Sequence, residues 1–452
     1  MAAPSSLPFA EAWTRGTDAF DRARQDAIWN ARLQRARTPD AIIRCRSAAE
    51  VARAVQLAAH ERVQVSLRGS GHSYIAAPLR DGGLLLDLGH LDFIEIDAER
   101  RTARVGPGTR GGDLAQALSD FGLAFPVGHC STVALGGYLL AGGIGWNCGE
   151  WGPACGHVRA VELVLADGTA LVASADHEPE LLWAARGAGC GFFAAVTAYH
   201  LDLQPLPSAA HLWTRQFTAD SAPALADWLS LATAAAHPSA EVMCLLGPDL
   251  ASGEPCITIR AVSVGADNAD AAARIASFRS PPAAAQATGL AEERPLAFTE
   301  LGQLSAMPDG KRVAADQCWS AASLGTLLLA VQHLAAVPAR SSTINLVAPG
   351  GSGTIPHMAD DTGALSVGGG VSCGIYAMWD DPADDALHMQ WVRDADHALA
   401  PYCAARYVGE ADLTRPGHLA GCFTPAALER IEALRRRWDP QGLFNSWPDV
   451  AA

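Results

Sequence analysis

The sequence predicts an α+β protein of two lobes, the second built on an antiparallel sheet covered by helices. Three observations carry this. The chain has 452 residues, more than a single hydrophobic core ordinarily serves. Up to about residue 206, short strands and helices alternate around glycine-dense stretches and stop at Pro205 and Pro207. From about residue 208, strand patterns are spaced by long helical ones, as expected of a sheet covered on one face. With 49% of residues apolar, there is ample material for a large core.

Taken in order, residues 1–38 hold a short helix and an irregular lead-in. Residues 47–60 (SAAEVARAVQLAAH) make an amphipathic helix. Ser47 caps it, Glu50 takes the capping-box position, and Val51, Ala54, Val55 and Ala58 form one stripe. Val63, Val65 and Leu67 then alternate with Gln64, Ser66 and Arg68 as a half-buried strand. Strands at 84–88, 93–97 and 102–105 precede a helix at 113–121 and a glycine-dense stretch at 128–156. A hairpin, 158–166 and 170–174, turns at Asp167-Gly168, and a helix at 179–186 and a strand at 194–203 close the first lobe. In the second, strands at 212–217, 241–246, 256–262, 343–347 and 371–379 are separated by helices at 222–236, 268–278, 319–337 and 383–400. Residues 280–293 (SPPAAAQATGLAEE) read as a surface loop. A last amphipathic helix, 425–438, ends at Asp439-Pro440.

Acids outnumber bases 48 to 33, for a net charge of −15, and no basic run occurs. Nucleic acid and anionic membranes need clustered Lys and Arg, so neither is expected as a partner; a small molecule is. The first thirteen residues lack the charged and apolar regions of a secretory signal. No window reaches eighteen uninterrupted apolar residues. A cytoplasmic location is expected. The eleven cysteines include no Cys-x-x-Cys pair and no Cys/His spacing of a zinc site. Most read as small buried hydrophobes in a reducing compartment, and no metal is expected. No signal of oligomeric state is present.

Two segments could carry chemistry. Arg68-Gly69-Ser70-Gly71-His72-Ser73 follows a strand, and its glycines, loop N–H groups and hydroxyls could make an anion-binding nest. Tyr74 stands where G-x-G-x-x-G needs its third glycine, which argues against a dinucleotide fold of the Rossmann type. Taken alone, such a Gly-Ser-Gly is more often just a turn. The second segment, residues 126–146, contains Gly128, Gly136, Gly137, Gly142, Gly143 and Gly145. That density suits backbone wrapped around a flat ligand, or equally tight loop packing without one.

Together RGSGHSY, GHCSTVALGGYLLAGGIGW and the tail RRRWDPQGLF resemble the flavoprotein oxidases of the vanillyl-alcohol-oxidase type, more narrowly their berberine-bridge-enzyme-like branch. The resemblance covers residues 45–206 and 407–443. It implies a PCMH-type FAD-binding lobe of residues 1–206, joined by a carboxyl-terminal segment 404–452, and a substrate lobe of residues 207–403. His72 matches the histidine bonded covalently to the flavin 8α-methyl, and Cys130 the cysteine bonded to flavin C6. Further FAD contacts are implied for Arg68, Gly69, Ser70, Gly71 and Ser73. The same holds for Thr132, Val133, Gly136, Gly137, Gly142, Gly145 and Trp146, and for Val196 and Asn445. A small side chain such as Val133 matches relatives that react with O2. The implied activity is an oxidase that takes a hydride from a C–H beside O or N and reduces O2 to H2O2. A dehydrogenase, or a redox-neutral cyclase or degenerate flavin-binding protein, is the alternative. The sequence departs from the branch at Gly156, where it has aspartate, at Phe192-Phe193-Ala194, and at Tyr407-Val408-Gly409, where it has Tyr-x-Asn.

Hydride transfer requires a proton to leave the neighbouring O–H or N–H. The position of a glutamate in some relatives is Gly374, which leaves Tyr407 as first candidate base and Tyr376 as second. Either would need a cation to lower its pKa of about 10. A packing role for each is equally consistent with the sequence, and His129 could also face the ring. Trp146, Trp151, Trp213, Trp319 and Trp379 are expected near the lobe junction, where they could stack on a substrate.

Overall fold

A computed structural model describes residues 7–249, 251–305, 307–336, 339, 341–351, 353–355 and 357–448. Three larger sheets organise them, beside a two-stranded one that pairs Leu123–Ala124 with Gln204–Pro205. The first runs in the order Ala12–Thr14, Ala41–Arg44, Leu84–Asp87, Val65–Arg68, its last two pairings parallel. The helix Ala48–Glu61 packs Val51, Ala54, Val55 and Ala58 against it. Ser47 caps that helix by accepting the Glu50 amide at 3.2 Å. The Glu50 carboxylate takes the Arg46 amide rather than closing a capping box.

The second sheet is antiparallel, in the order Ile94–Asp97, Thr102–Val105, Ala195–Asp202, Val158–Val164, Ala170–Ser174. Its core includes the helices Gly111–Ser119 and Pro179–Ala185 and the end of the chain. There the helix Pro425–Trp438 stops because Asp439 turns its carboxylate onto the Leu443 and Phe444 amides at 2.7 and 2.9 Å. Residues 443–445 then run beside Val65, which donates to the Leu443 carbonyl and accepts from Asn445. Arg435 reaches the Gly191 carbonyl at 2.9 Å.

The third sheet has eight antiparallel strands: Ala287–Leu296, Ala209–Thr218, Pro255–Gly265, Ala240–Pro248, Thr343–Pro349, Val371–Trp379, Arg312–Ser320 and Cys403–Ala405. Side chains alternate strictly between its faces. Val242, Cys244, Leu246, Ile344, Leu346, Cys373, Ile375 and Ala377 enter a core with the helices Ala222–Ala235, Leu324–Val331 and Asp385–Leu399. Met243, Leu245, Asn345, Val347, Ser372 and Tyr376 face the other way, into a cavity.

Two expectations are corrected. Of the segment read as a loop, 280–293, the first half is irregular as expected, while 287–293 belongs to the edge strand Ala287–Leu296, exposed along most of its length and paired only with Ala209–Thr218. Its backbone ladder recruits it, and Pro295 is tolerated because one edge needs no donor. The expected helix 319–337 begins instead as the end of the strand Arg312–Ser320, buried on both faces. The helix proper is Leu324–Val331, capped by Ser323; Val337, the last residue of the expected helix, lies outside the described residues. Buried on both faces and carrying Asp316, Gln317 and Ser320 among its buried residues, that strand has no apolar/polar alternation to mark it. The last strand, Cys403–Ala405, also straddles the expected boundary at 403/404.

Among the described residues, no helix is long and apolar enough to cross a membrane. Eight of the eleven cysteines are buried, and all are free thiols.

Candidate active site

Between the glycine-rich segments and the open face of the third sheet lies a cavity of about 1050 Å³, roomy even against the range of about 300–1,000 Å³ for small-molecule sites. Its first wall is the loop after the strand Val65–Arg68. Arg68 is tied to Asp87 at 2.7 Å and to the Ala27 carbonyl at 3.2 Å, so it braces the loop. Gly71 has φ +76°, and a Cβ there would sit 2.1 Å from the Ala27 oxygen; only glycine fits. Ser70 accepts the Ala134 amide at 2.9 Å, linking the two glycine segments. Ser73 accepts the Ala77 amide. Both hydroxyls thus serve the protein's own backbone.

His72 stacks on Trp29, with ring centroids 5.3 Å apart. Its Nε2 meets Thr132 Oγ1 at 3.1 Å, and the same oxygen meets Cys130 Sγ at 3.2 Å. Burial pushes the His72 pKa down to about 4, so the imidazole is neutral at pH 7 and keeps a free lone pair.

Of the other residues implied to touch a cofactor, Gly69, Val133, Gly136, Gly137, Val196 and Asn445 line the cavity. Gly142, Gly145 and Trp146 stand in the layer behind. A Cβ on Gly142 would press on Leu365, and one on Gly145 would meet the Val127 oxygen at 2.1 Å. These two glycines allow the segment to fold onto itself. Of the tryptophans, Trp319 lines the cavity. Trp213 and Trp379 belong to the helix-side core, and Trp146 and Trp151 pack between the lobes.

Further polar groups line the same cavity. Tyr407 is buried; its hydroxyl accepts the Gly143 amide at 3.1 Å, and its own amide donates to Gln317 at 2.7 Å. Burial first, then the charge of Glu410, pushes its phenol far above the ordinary value. Tyr376 donates to Glu410 Oε2 at 2.7 Å and leans on the Tyr74 ring at 5.6 Å. Burial, followed by the nearby Glu410, also pushes its phenol well up. His129 bonds Glu241 at 2.6 Å and meets the Trp146 ring edge-on at 4.6 Å. Burial disfavours its charged form, but the Glu241 carboxylate outweighs this and raises its pKa.

Glu410, Glu241, Trp29 and Asn147 were not singled out as site residues from the sequence. Glu410 could have been, three residues past Tyr407. Glu241 pairs with a histidine 112 positions away, and no local pattern announces that.

FAD fits these residues on two observations. Gly137 lines the cavity, and a Cβ built on it would meet nothing within 4 Å: a cradle kept open by the missing side chain. Asn147, only 6% exposed, also lines it, with both amide atoms lacking a hydrogen-bond partner.

Residues 39–174 match the FAD binding domain family. Fold, cavity and matched domain together define an FAD-binding flavoprotein. The chain is 26% identical over 416 residues to the FAD-linked oxidoreductase nodO of Hypoxylon pulicicidum, covering 89% of each. It is 39% identical over 181 residues to (R)-6-hydroxynicotine oxidase of Paenarthrobacter nicotinovorans, covering 40% of this chain and 39% of that one. The structure of 6-hydroxy-D-nicotine oxidase from Arthrobacter nicotinovorans superposes with a TM-score of 0.83 at 25% identity, over 100% of this chain and 99% of that one. That of berberine bridge enzyme from Eschscholzia californica gives 0.82 at 19%, over 98% of both. The protein is an FAD-dependent oxidoreductase with the fold of the 6-hydroxy-D-nicotine oxidase and berberine bridge enzyme structures.

Proposed function

We propose that the protein is an oxidase with doubly tethered FAD, taking a hydride from a C–H beside O or N of a small molecule and passing the electrons to O2 to give H2O2. The observation that carries this is the Cys130–Thr132–His72 chain, whose two ends line the same cavity as Tyr376 and Tyr407. A sulfur and a neutral imidazole joined through one hydroxyl suit two attachments to one ring edge. When bound, FAD supplies the two-electron acceptor. The chain's own residues do the rest. The glycine loop and Asn445 border one end of the ligand, while Tyr376 and Tyr407 stand where the substrate would meet it. Of these tyrosines, Tyr376 is the proton carrier, because its hydroxyl already points at a carboxylate acceptor. Tyr407 holds the Gly143 backbone in place. Val133 on the cavity wall supports reaction with O2 over a dehydrogenase. The free thiols support a reducing, cytoplasmic setting. The lobe division is 1–206 with 404–452 for FAD and 207–403 for substrate.

The test is flavin retention after acid precipitation. The unmodified protein should pellet yellow. His72→Ala and Cys130→Ala should each keep one bond, and the double variant should release free FAD. Free FAD from the unmodified protein sinks the tether. Chemical reduction without O2, followed by mixing with O2, tests the acceptor: fast reoxidation with H2O2 release marks an oxidase, slow reoxidation a dehydrogenase.

A further inference from the structure

We propose that the substrate is a cationic amine, held against Glu410, which receives its proton before the hydride leaves. This deepens the flavin-oxidase reading above and rests on it. The starting point is a charge imbalance. Among the described residues lining the cavity, the arginines are Arg68, Arg80 and Arg260. Arg68 is paired with Asp87 beside the glycine loop, and Arg80 spans the Ala77 and Ser446 carbonyls. Arg260 donates to the Leu304 carbonyl near the far edge of the third sheet.

None of the three acts on Glu410. Its Oε2 accepts from Tyr376, and no hydrogen bond to its Oε1 is made among the described residues. The titratable groups that act on it or feel its charge are Tyr376, Tyr74, Tyr407 and His129, the last tied to Glu241. Two carboxylates therefore share one imidazole. Even with the imidazole charged, the cluster keeps a net charge of about −1, counting one charge per ionised group at neutral pH. Burial accordingly pushes the Glu410 carboxyl above its ordinary range, only partly offset by the Tyr376 hydroxyl and the His129 charge. A buried carboxylate of this kind gains most from a bound cation.

The surroundings fit an ammonium group rather than a metal ion. Tyr74, Tyr376, Tyr407 and Trp319 line the same cavity, and ring faces attract an organic cation. Asn147, next to the Trp146 that touches His129, presents an unpartnered buried amide as a further polar contact.

The step balances. The ammonium N–H bond breaks, its pair stays on nitrogen, and the proton passes to the Tyr376 oxygen as that hydroxyl gives its own proton to the Glu410 carboxylate. The C–H pair of the neutral amine then leaves as hydride for the oxidised flavin, while the nitrogen lone pair forms the C=N bond of an iminium ion. One proton and one hydride leave the substrate, which is a two-electron oxidation.

Phenethylamine, protonated at pH 7, and its near-isostere 2-phenylethanol test the selectivity by calorimetric titration of the holoenzyme. The ammonium should bind about tenfold tighter, the scale of one charge-assisted contact. Glu410→Gln should abolish that preference and Glu410→Asp should restore part of it, with flavin-to-protein ratio and melting temperature reporting an intact fold. An ammonium that binds no better than the alcohol, or a preference that survives in Glu410→Gln, overturns the proposal. Absence of flavin from the unmodified protein counts instead against the oxidase reading, since calorimetry still reads the amine preference.

Discussion

Tyr376 and Tyr407 share a cavity wall, yet their hydroxyls are committed in opposite senses. Tyr376 donates a hydrogen bond to Glu410, whereas Tyr407 accepts one from the Gly143 amide. Removing the first oxygen breaks a proton path; removing the second leaves a buried N–H unpaired. Tyr376→Phe is therefore expected to slow anaerobic flavin reduction by ~10²-fold or more, within the range for lost acid–base help. Tyr407→Phe should slow it far less and lower stability by ~1–3 kcal/mol, the cost of an unsatisfied buried donor. Stopped-flow reduction and urea melts of the two variants separate the roles; the reverse pattern returns Tyr407 to the place of base. At this scale the sequence was legible where the chemistry sits in a local motif. His72 and Cys130 stand in glycine-rich segments with a recognisable spacing. Glu241, Asn147 and Trp29 do not, because each acquires its meaning from a neighbour far along the chain.

At the scale of elements, the glycine stretch does two jobs that one residue type conceals. Gly145 is required by its own loop, since an added Cβ would meet the Val127 oxygen at 2.1 Å. Gly137, inside the helix Leu135–Leu140, faces open cavity. An alanine in a helix interior is worth ~1 kcal/mol over glycine. Gly137→Ala should thus hold or raise the stability of the flavin-free protein while lowering its flavin content. Gly145→Ala should lower both. Flavin-to-protein ratio and thermal melts of each variant check this, and a Gly137→Ala protein with full flavin content would remove Gly137 from the cradle. Most helices were legible from caps and stripes, and Val371–Trp379 was read with its bounds intact. The strand Arg312–Ser320 was not, because burial on both faces erases the alternation that marks a strand. Ala287–Leu296 was missed for the opposite reason: an exposed edge carries no apolar pattern.

For the whole molecule, a buried charge cluster joins the third sheet to the returning carboxyl-terminal segment. Asp316, fully buried, receives Arg406 at 3.2 Å, Arg415 at 2.7 Å and the Asp412 amide at 3.1 Å. Asp396 takes the same two guanidiniums from the helix Asp385–Leu399. Burial alone would raise the Asp316 pKa, but His418, Arg406 and the Asp412 amide hold it below its ordinary 3.8. A depressed carboxyl pKa stabilises the folded state fully above the unfolded value, and that share is lost as pH falls through the folded one. Asp316→Asn, which leaves Asp396 alone to balance two arginines, is expected to cost ~3–5 kcal/mol near neutrality. The gap to the unmodified protein should narrow as pH falls below about 4, where Asp316 of the unfolded chain begins to protonate, and close as pH falls through the lower folded value. Urea midpoints across that range check both the size and the sign.

By itself the sequence determined the α+β class, the strand–helix texture on either side of residue 206, and the glycine segments with the histidine and cysteine inside them. These are properties of period, caps and short motifs, which act over a few residues. The tertiary structure alone decided which face of the third sheet looks into the cavity, that Glu410 and Glu241 share one imidazole there, and that Gly137 opens onto a cavity while Gly145 packs against its own loop. The reason is physical: burial, charge balance and free space are sums over groups brought together from distant parts of the chain, and no window of the sequence contains them.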